Sequence, residues 1–360
     1  MKDPWEVAGV DVWPWDSAMS EPFEIAGGAS TRVSNVLVRV RLRGGAVGWG
    51  EGAPMPAYNG ETQAAALKLL RAQRGFLLGK DAGRWRPLLE RLDERLGGAG
   101  AARAALSMAL LDAWSRQARL PLGRLFGGAQ TRLRSDVTVA IVGPAQAKAA
   151  ARRIVARGIF AIKVKVGKDL DDDEERVRAV AAASSKLTLI LDANQGYAPR
   201  QSIALLKRLK RRGLRPALFE QPAAKDDWDG LAEVHAATKV PVAADESVAS
   251  RDDALRMARH RGAQVVNIKL MKCGLLEAWD IALICRAAGL GLMMGGNVES
   301  YLAMTAAAHL AGGLGGFSFI DLDTPLWFAK DPTRGMRLQH GGVYDLSKVR
   351  AGIGVTPIRP

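Results

Sequence analysis

Five charged residues recur in this 360-residue chain at the pitch of one strand–helix unit. Lys165 to Asp192 is 27 residues, Asp192 to Glu220 is 28, Glu220 to Asp245 is 25, and Asp245 to Lys269 is 24 (192 − 165, 220 − 192, 245 − 220, 269 − 245). Each lies at the end of a short apolar run. Eight such runs are read as strands: residues 136–142, 159–166, 187–192, 217–220, 242–245, 264–270, 290–294 and 317–321. Amphipathic Ala/Arg/Leu segments lie between them, such as 200–212 and 276–288. Strands alternating with helices over short connections are parallel and joined by crossovers. Eight of them favour closure into an α/β barrel, where chemistry sits at the C-terminal strand ends. An open doubly wound sheet is the alternative, but the glycine fingerprint that follows its first strand is absent.

The chain before the repeat has a different texture. Residues 34–42 alternate β-branched and polar side chains, and Gly44-Gly45 separates them from a second strand-like run, which reads as a hairpin. Residues 102–118 are Ala/Leu-rich with helical apolar spacing, and Pro121 follows. The expected organisation is an α+β region over 1–130, the barrel over 131–325, and a segment over 326–360 that packs back on the first region.

Composition removes several function classes. Two cysteines, Cys273 and Cys285, cannot build a disulfide framework, and no Cys/His cluster suggests zinc. A cytoplasmic chain with reduced thiols is expected. The first 16 residues carry Asp3, Glu6, Asp11 and Asp16 and no apolar run of signal-peptide length. No stretch approaches a membrane span, so no membrane partner is expected. The net charge of +14 raises nucleic acid as a partner. Arg and Lys are instead spread over helix surfaces without interleaved aromatics, and no nucleic-acid partner is expected.

The strand-end acids call for a counter-ion. Asp192, Glu220 and Asp245 come from three neighbouring strands, and three packed carboxylates repel one another unless a cation joins them. An all-oxygen set favours Mg²⁺, Mn²⁺ or Ca²⁺ over Zn²⁺. Taken singly, each acid could cap a helix or pair with a basic neighbour; three in phase point to a metal. Lys163 and Lys165 stand two apart on one strand and share a face. Two close ammonium groups in a partly buried site should lower each other's pKa, so that a lysine can serve as a base near neutral pH. Lys269, on the sixth strand, lies across the barrel from the second. Two bases facing each other across a metal suit removal of a proton beside a carboxylate on one face and delivery on the other.

The ordered set "GAVGWGEGAP", "ALLDAWSRQARLPLGRLFGG", "KVKVG", "LDANQGY", "FEQP", "ADES", "NIKLMKCG" and "DLDTPL" resembles the enolase superfamily, muconate lactonizing enzyme subgroup, over nearly the whole chain. Each motif is short; their order and spacing are specific. The resemblance implies a modified TIM barrel, (β/α)7β, with an α+β capping domain. It implies Asp192, Glu220 and Asp245 as Mg²⁺ ligands, with Mn²⁺ as a substitute. It implies Lys165 and Lys269 as the acid/base pair, with Lys163 orienting the substrate carboxylate and tuning Lys165.

Within the subgroup, "DLDTPL" looks like the Asp-x-Asp motif of dipeptide epimerases, in which Asp321 and Asp323 would hold the α-ammonium of a dipeptide. The chemistry agrees, since an acidic pair suits an amine; a helix cap or a partner for the lysines is the other reading of the pair. The implied reaction inverts the C-terminal residue of a dipeptide by a two-lysine 1,1-proton transfer. Related activities are N-acylamino acid racemase, o-succinylbenzoate synthase and cycloisomerase. A non-catalytic binding protein on the same fold is a reading from another class. The family resemblance also implies a homo-oligomer.

The chain departs from its relatives at three places. Cys273-Gly274 is followed by Leu275 rather than a second glycine, the seventh strand ends in "GGNVES", and the loop after Phe23 reads "EIAGGASTR". Some Ala-Glu-specific relatives carry an Arg where this chain has Ser30; Arg32 follows two positions later. Ser30 and Asn297 are therefore read as substrate-pocket residues. With Gly296 and Val298 they make a small, neutral wall, which points to an apolar or mixed dipeptide.

Overall fold

The structure, a computed structural model, describes residues 3–25 and 28–359, and the side chains of all of these except 21–30. A three-stranded antiparallel sheet comes first: Val7–Ile25, Gly28–Leu42 and Val47–Gly52, with Gly28–Leu42 in the middle. The Gly44-Gly45 turn is the expected hairpin connection, and Gly45 adopts the left-handed conformation at φ 91°. The first strand is longer than its apolar alternation indicates. Its far end pairs with Gly28–Leu42 only after a register shift between Ala18 and Phe23.

This sheet packs on the helix Gly100–Gln117 through alternating glycines. A Cβ at Gly50 would fall 2.0 Å from Ala105 O, and one at Gly48 would fall 2.1 Å from Ala109 O. Period two on the strand thus meets period four on an Ala-rich helix, and the backbones approach as side chains would not allow.

Eight parallel strands follow: Val137–Val139, Ala161–Lys165, Thr188–Asp192, Leu218–Glu220, Val242–Ala244, Val265–Lys269, Gly291–Gly295 and Phe317–Ile320. They lie side by side in sequence order, and the sheet curls until its edges meet. Asp136 N–H donates to Ile320 O at 2.8 Å, and Leu322 N–H donates to Ser135 Oγ at 2.8 Å, which joins the first and eighth strands. All eight expected strands are present: the seventh is shifted by one residue, and the others are shorter by one to four residues. The fold is the modified TIM barrel with a capping sheet, and the open-sheet alternative is excluded.

Helix boundaries follow local signals. Asp169 caps Leu170–Ala181 by accepting from Asp171 and Asp172 N–H, and Ser250 with Asp253 forms a capping box before Arg251–His260. Tyr301–Leu314 is buried nearly all round and so shows no amphipathic stripe. Among the described residues, no helix is long and apolar enough to cross a membrane.

Two contacts fasten the barrel to the rest of the chain, and a third ties the C-terminal segment to the capping helix. Glu51, fully buried, accepts from Asn35 Nδ2 (2.7 Å), Ser300 N (3.1 Å) and Ser300 Oγ (2.6 Å) at the N-terminus of Tyr301–Leu314. Burial pushes its carboxyl up to about 7 against those hydrogen bonds. His309, on the same helix, accepts Gly123 N–H at Nδ1 (3.0 Å), which fixes Nε2 as the donor to Ile353 O (3.0 Å). In the C-terminal segment, Ile353 N–H reaches Asp112 Oδ1 of Gly100–Gln117 at 2.7 Å.

Candidate active site

The barrel interior is layered by strand alternation. Ile190, Leu218, Ala243, Val265 and Met293 form one apolar cluster. Two residues further along each of four of those strands stand Asp192, Glu220, Asp245 and Asn267, and Lys269 is two beyond Asn267. A period of two keeps both layers on the inner face. The lower layer closes the barrel and the upper one is the site.

In that upper layer the sequence-predicted residues converge. Asp192, Glu220 and Asp245 have no exposed surface. Lys163 Nζ lies 2.9 Å from Asp192 Oδ2, 2.7 Å from Glu220 Oε2 and 2.7 Å from Asp321 Oδ2. Lys165 Nζ contacts Asp192 Oδ2 at 2.6 Å and Asn194 Oδ1 at 2.9 Å. Lys269 Nζ contacts Asp245 Oδ2 at 2.7 Å and lies over the Tyr58 ring, 5.0 Å from its centroid. Lys163 and Lys165 on the second strand thus face Lys269 on the sixth.

For Lys163 the electrostatics run against the sequence expectation. Two neighbouring ammonium groups were expected to depress each other. Burial does oppose the charge on Lys163, but Asp192, Asp321 and Glu220 outweigh it and push its pKa well up. Lys269 is likewise raised, burial being outweighed by Asp245 and Glu220. Around each of these two ammonium groups the acids outweigh burial, and for Lys269 they outweigh the repulsion of Lys163 as well. The acids divide in the same field. Burial and Asp192 push Glu220 up to about 7. For Asp192 burial is overcome by Lys163 and Lys165, which hold it down to about 2.

Among the described residues, no group of three Asp, Glu, His or Cys side chains forms a ready metal cage. The donor set nonetheless fits a hard cation. Glu220 Oε2 and Asp245 Oδ2 are buried and accept no directed hydrogen bond, although each touches an ammonium. Their partner oxygens are held: Asn267 Nδ2 donates to Glu220 Oε1 at 2.7 Å, and Lys272 Nζ to Asp245 Oδ1 at 3.1 Å. The site therefore offers buried carboxylate oxygens in supported positions, which suits Mg²⁺.

At the eighth strand end, Asp321 pairs with Lys163, as the lysine-partner reading had it, while Asp323 Oδ2 accepts Thr138 N–H at 2.6 Å and Asp323 Oδ1 accepts nothing. Asn297 lines the same cleft, with Nδ2 donating to Ala53 O at 3.3 Å and Oδ1 unpartnered. The Ser30 side chain lies outside the described residues, and Arg32 is exposed.

Sequence reasoning missed several residues of this cleft. Tyr58 comes from the four-residue helix Pro56–Asn59 of the capping region, and its hydroxyl donates to Asp245 Oδ1 at 3.3 Å. Met55 adds an apolar wall beside Val298, which the sequence had already placed in the pocket. A loop residue that meets the barrel from another layer has no periodic signal. Asn194 could have been found, because it follows Asp192 in "DANQG". Strain marks the same place: Asn194, Gln195 and Gln221 carry φ of 41°, 67° and 37°, and all three stand just past a strand-end acid.

Comparison with known proteins completes this picture. The family model for the enolase C-terminal domain-like fold matches residues 146–359, and that for the mandelate racemase/muconate lactonizing enzyme N-terminal domain matches residues 9–127. The chain belongs to the enolase superfamily. Among superfamily members, it is 46% identical over 338 residues to an aromatic dipeptide epimerase of Herpetosiphon aurantiacus, covering 94% of this chain and 95% of that one. It is 38% identical to a hydrophobic dipeptide epimerase of Citrifermentans bemidjiense, covering 94% of each. The structure of a dipeptide epimerase from Enterococcus faecalis, complexed with Mg and L-Leu-L-Tyr, superposes with a TM-score of 0.93 at 32% identity, covering 98% of this chain and 99% of that one.

Proposed function

We propose that the chain is a Mg²⁺-dependent dipeptide epimerase that inverts the C-terminal residue of its substrate. The observation that carries this reading is the placement of lysines on the second and sixth strands, across the barrel from each other, with an acidic pair at the eighth strand end.

Asp192, Glu220 and Asp245 would hold the metal, with Mn²⁺ as a substitute. When bound, Mg²⁺ supplies the positive charge that makes a proton beside a carboxylate acidic enough to remove. Lys163 orients the substrate carboxylate. Asp321 and Asp323 hold the α-ammonium, which fixes the dipeptide lengthwise between the two bases. Lys165 and Lys269 then face the Cα from opposite sides. One takes the proton at Nζ and the other delivers a proton from its own Nζ, which inverts the centre. Afterwards the two lysines have exchanged protonation states and reset through solvent. The same geometry serves both directions.

The substrate side chains are apolar. The cations lining the cleft are Lys163, Lys165 and Lys269, all assigned above, so among the described residues no cation remains for a side-chain carboxylate. Met55, Tyr58 and Val298 supply apolar walls. The aromatic and hydrophobic dipeptide epimerases among its relatives support this. N-acylamino acid racemisation is the second reading, favoured by Asp321 being already paired with Lys163 rather than open to an amine. The enzyme is placed in the cytoplasm, consistent with two free, buried cysteines, and as a homo-oligomer.

The test is a dipeptide pool incubated with enzyme and Mg²⁺ in D₂O and read by mass spectrometry. Apolar and aromatic dipeptides are expected to gain one mass unit at the C-terminal Cα. Label confined to N-acylated amino acids would replace the dipeptide reading with the second one.

A further inference from the structure

Beneath the acidic pair lies a third carboxyl that the mechanism above does not use. Asp136 is 2% exposed at the seam where the barrel closes. Its N–H donates to Ile320 O, the residue before Asp321, so the Asp136 and Asp321 side chains leave adjacent positions of the seam. With every acid ionised, neither oxygen of Asp136 has a hydrogen-bond donor. The charged groups around it are Asp321 and Asp323 from the eighth strand end and Lys163 from the second strand. Lys163 already answers Asp192, Glu220 and Asp321. Lys165, Lys269 and Lys272 pair with Asp192 and Asp245 instead, and Asp136 keeps no donor at either oxygen.

A single proton resolves this. Asp136 and Asp321 stand side by side at the seam and neither Asp136 oxygen has a donor, so one proton held by the pair would let the one carboxyl donate to the other. Burial and Asp321 drive Asp136 upward, while Lys163 holds Asp321 ionised. Asp136 is therefore the neutral carboxyl and Asp321 the acceptor.

We propose that Asp136 is a proton-exchanging positioning residue of the ammonium site: docking of the dipeptide α-ammonium displaces the proton shared by Asp136 and Asp321 to solvent. The balance is simple. Before binding, the pair holds one proton and one negative charge. Afterwards it holds none and two, the ammonium supplies the compensating positive charge, and one H⁺ leaves. This rests on the assignment of Asp321 and Asp323 to the substrate amine. It explains why the site has more acids than a monovalent amine needs. The empty site stays near neutrality and becomes more anionic only when the cation arrives.

The test is a proton inventory by titration calorimetry on the Mg²⁺-loaded enzyme. An apolar dipeptide is supplied as an equilibrated mixture of epimers, so that turnover adds no net heat. The experiment runs at pH 7, below the ordinary range of an α-amine, in two buffers of different ionisation enthalpy. The wild type is expected to release about one proton per dipeptide bound. The N-acetylated amino acid, which lacks the ammonium, should release none. Asp136→Asn should abolish the release and weaken dipeptide binding roughly tenfold, the worth of a buried charge-assisted hydrogen bond. Binding of the N-acetylated ligand should be unchanged. Dipeptide binding without release in the wild type, or release that persists in Asp136→Asn, overturns the proposal and leaves the epimerase reading standing. If dipeptide and N-acetylated ligand bind equally, the amine assignment itself fails. The wild-type measurement decides the matter even if the variant does not fold.

Discussion

Two buried acidic regions of this molecule meet their surroundings in opposite ways. Glu51, on the capping sheet, is surrounded by donors: an amide from Asn35 and the backbone and hydroxyl of Ser300. At the barrel rim, acids outnumber donors, and Glu220, Asp245, Asp136 and Asp323 all keep buried oxygens without a hydrogen bond. A satisfied buried acid fastens two layers together. An unsatisfied cluster is destabilising in isolation and persists because something binds to it. The degree of satisfaction, more than burial or acidity, separates the fastening from the site.

The largest effect should come from breaking the rim. Glu220→Gln is expected to lower kcat by roughly three orders of magnitude. The melting temperature of the metal-free protein should hold steady or rise, because a repelling charge is gone. A fall of several degrees would place Glu220 with Glu51 as a structural acid.

Glu51→Ala is the converse. It leaves Asn35 and Ser300 donors buried without an acceptor, and should cost about 3–5 kcal/mol in denaturant unfolding. At temperatures where the variant is folded, the rate of α-proton exchange should change far less than in Glu220→Gln.

The same logic extends to His309. Burial lowers its pKa to about 4 against the bond to Ile353 O, and protonating Nδ1 would in addition break the bond from Gly123 N–H. Its ordinary value is 6.5. The unfolded chain therefore binds a proton between those values while the folded chain does not. The contribution of His309 is full above pH 6.5 and is lost as pH falls towards 4, by about 3 kcal/mol. Thermal melts across that window should flatten in His309→Gln relative to wild type. Equal slopes would show that other groups carry the acid sensitivity.

Tyr58→Phe should have the smallest effect. It removes one hydroxyl bond to Asp245 but keeps the ring under Lys269. A loss of about 1 kcal/mol in transition-state stabilisation, a few-fold in kcat/KM, is expected. A loss as large as that of Glu220→Gln would make the hydroxyl part of the chemistry.

Where the sequence was legible, it was legible through period. The strand ends that carry Lys163, Lys165, Asp192, Glu220, Asp245 and Lys269 recur in phase, so both the barrel and the converging charges could be read from spacing. Seven of the eight strands came through with only their ends trimmed, because the hydrogen-bonded ladders stop before the apolar pattern does, and the seventh runs one residue further, to Gly295. Two things stayed hidden. The first is what crosses between layers: Tyr58 and Glu51 sit on the capping region, and nothing in their neighbours says which barrel residue they meet. The second is the sign of the Lys163 shift. Adjacent lysines on one strand suggest mutual repulsion, but Lys163 answers to acids from the third, fourth and eighth strands, and those pairings exist only once the barrel has closed.

The central claim is that Lys165 and Lys269 work opposite faces of one Cα. It is tested most directly by Lys165→Ala and Lys269→Ala in D₂O, each given the two epimers of an apolar dipeptide separately. Both variants should lose epimerisation. Each should still exchange the α-proton of one epimer only, and the two should prefer opposite epimers. Exchange of the same epimer by both variants, or of both epimers by either one, would contradict the two-base arrangement and assign the proton transfer to a single face.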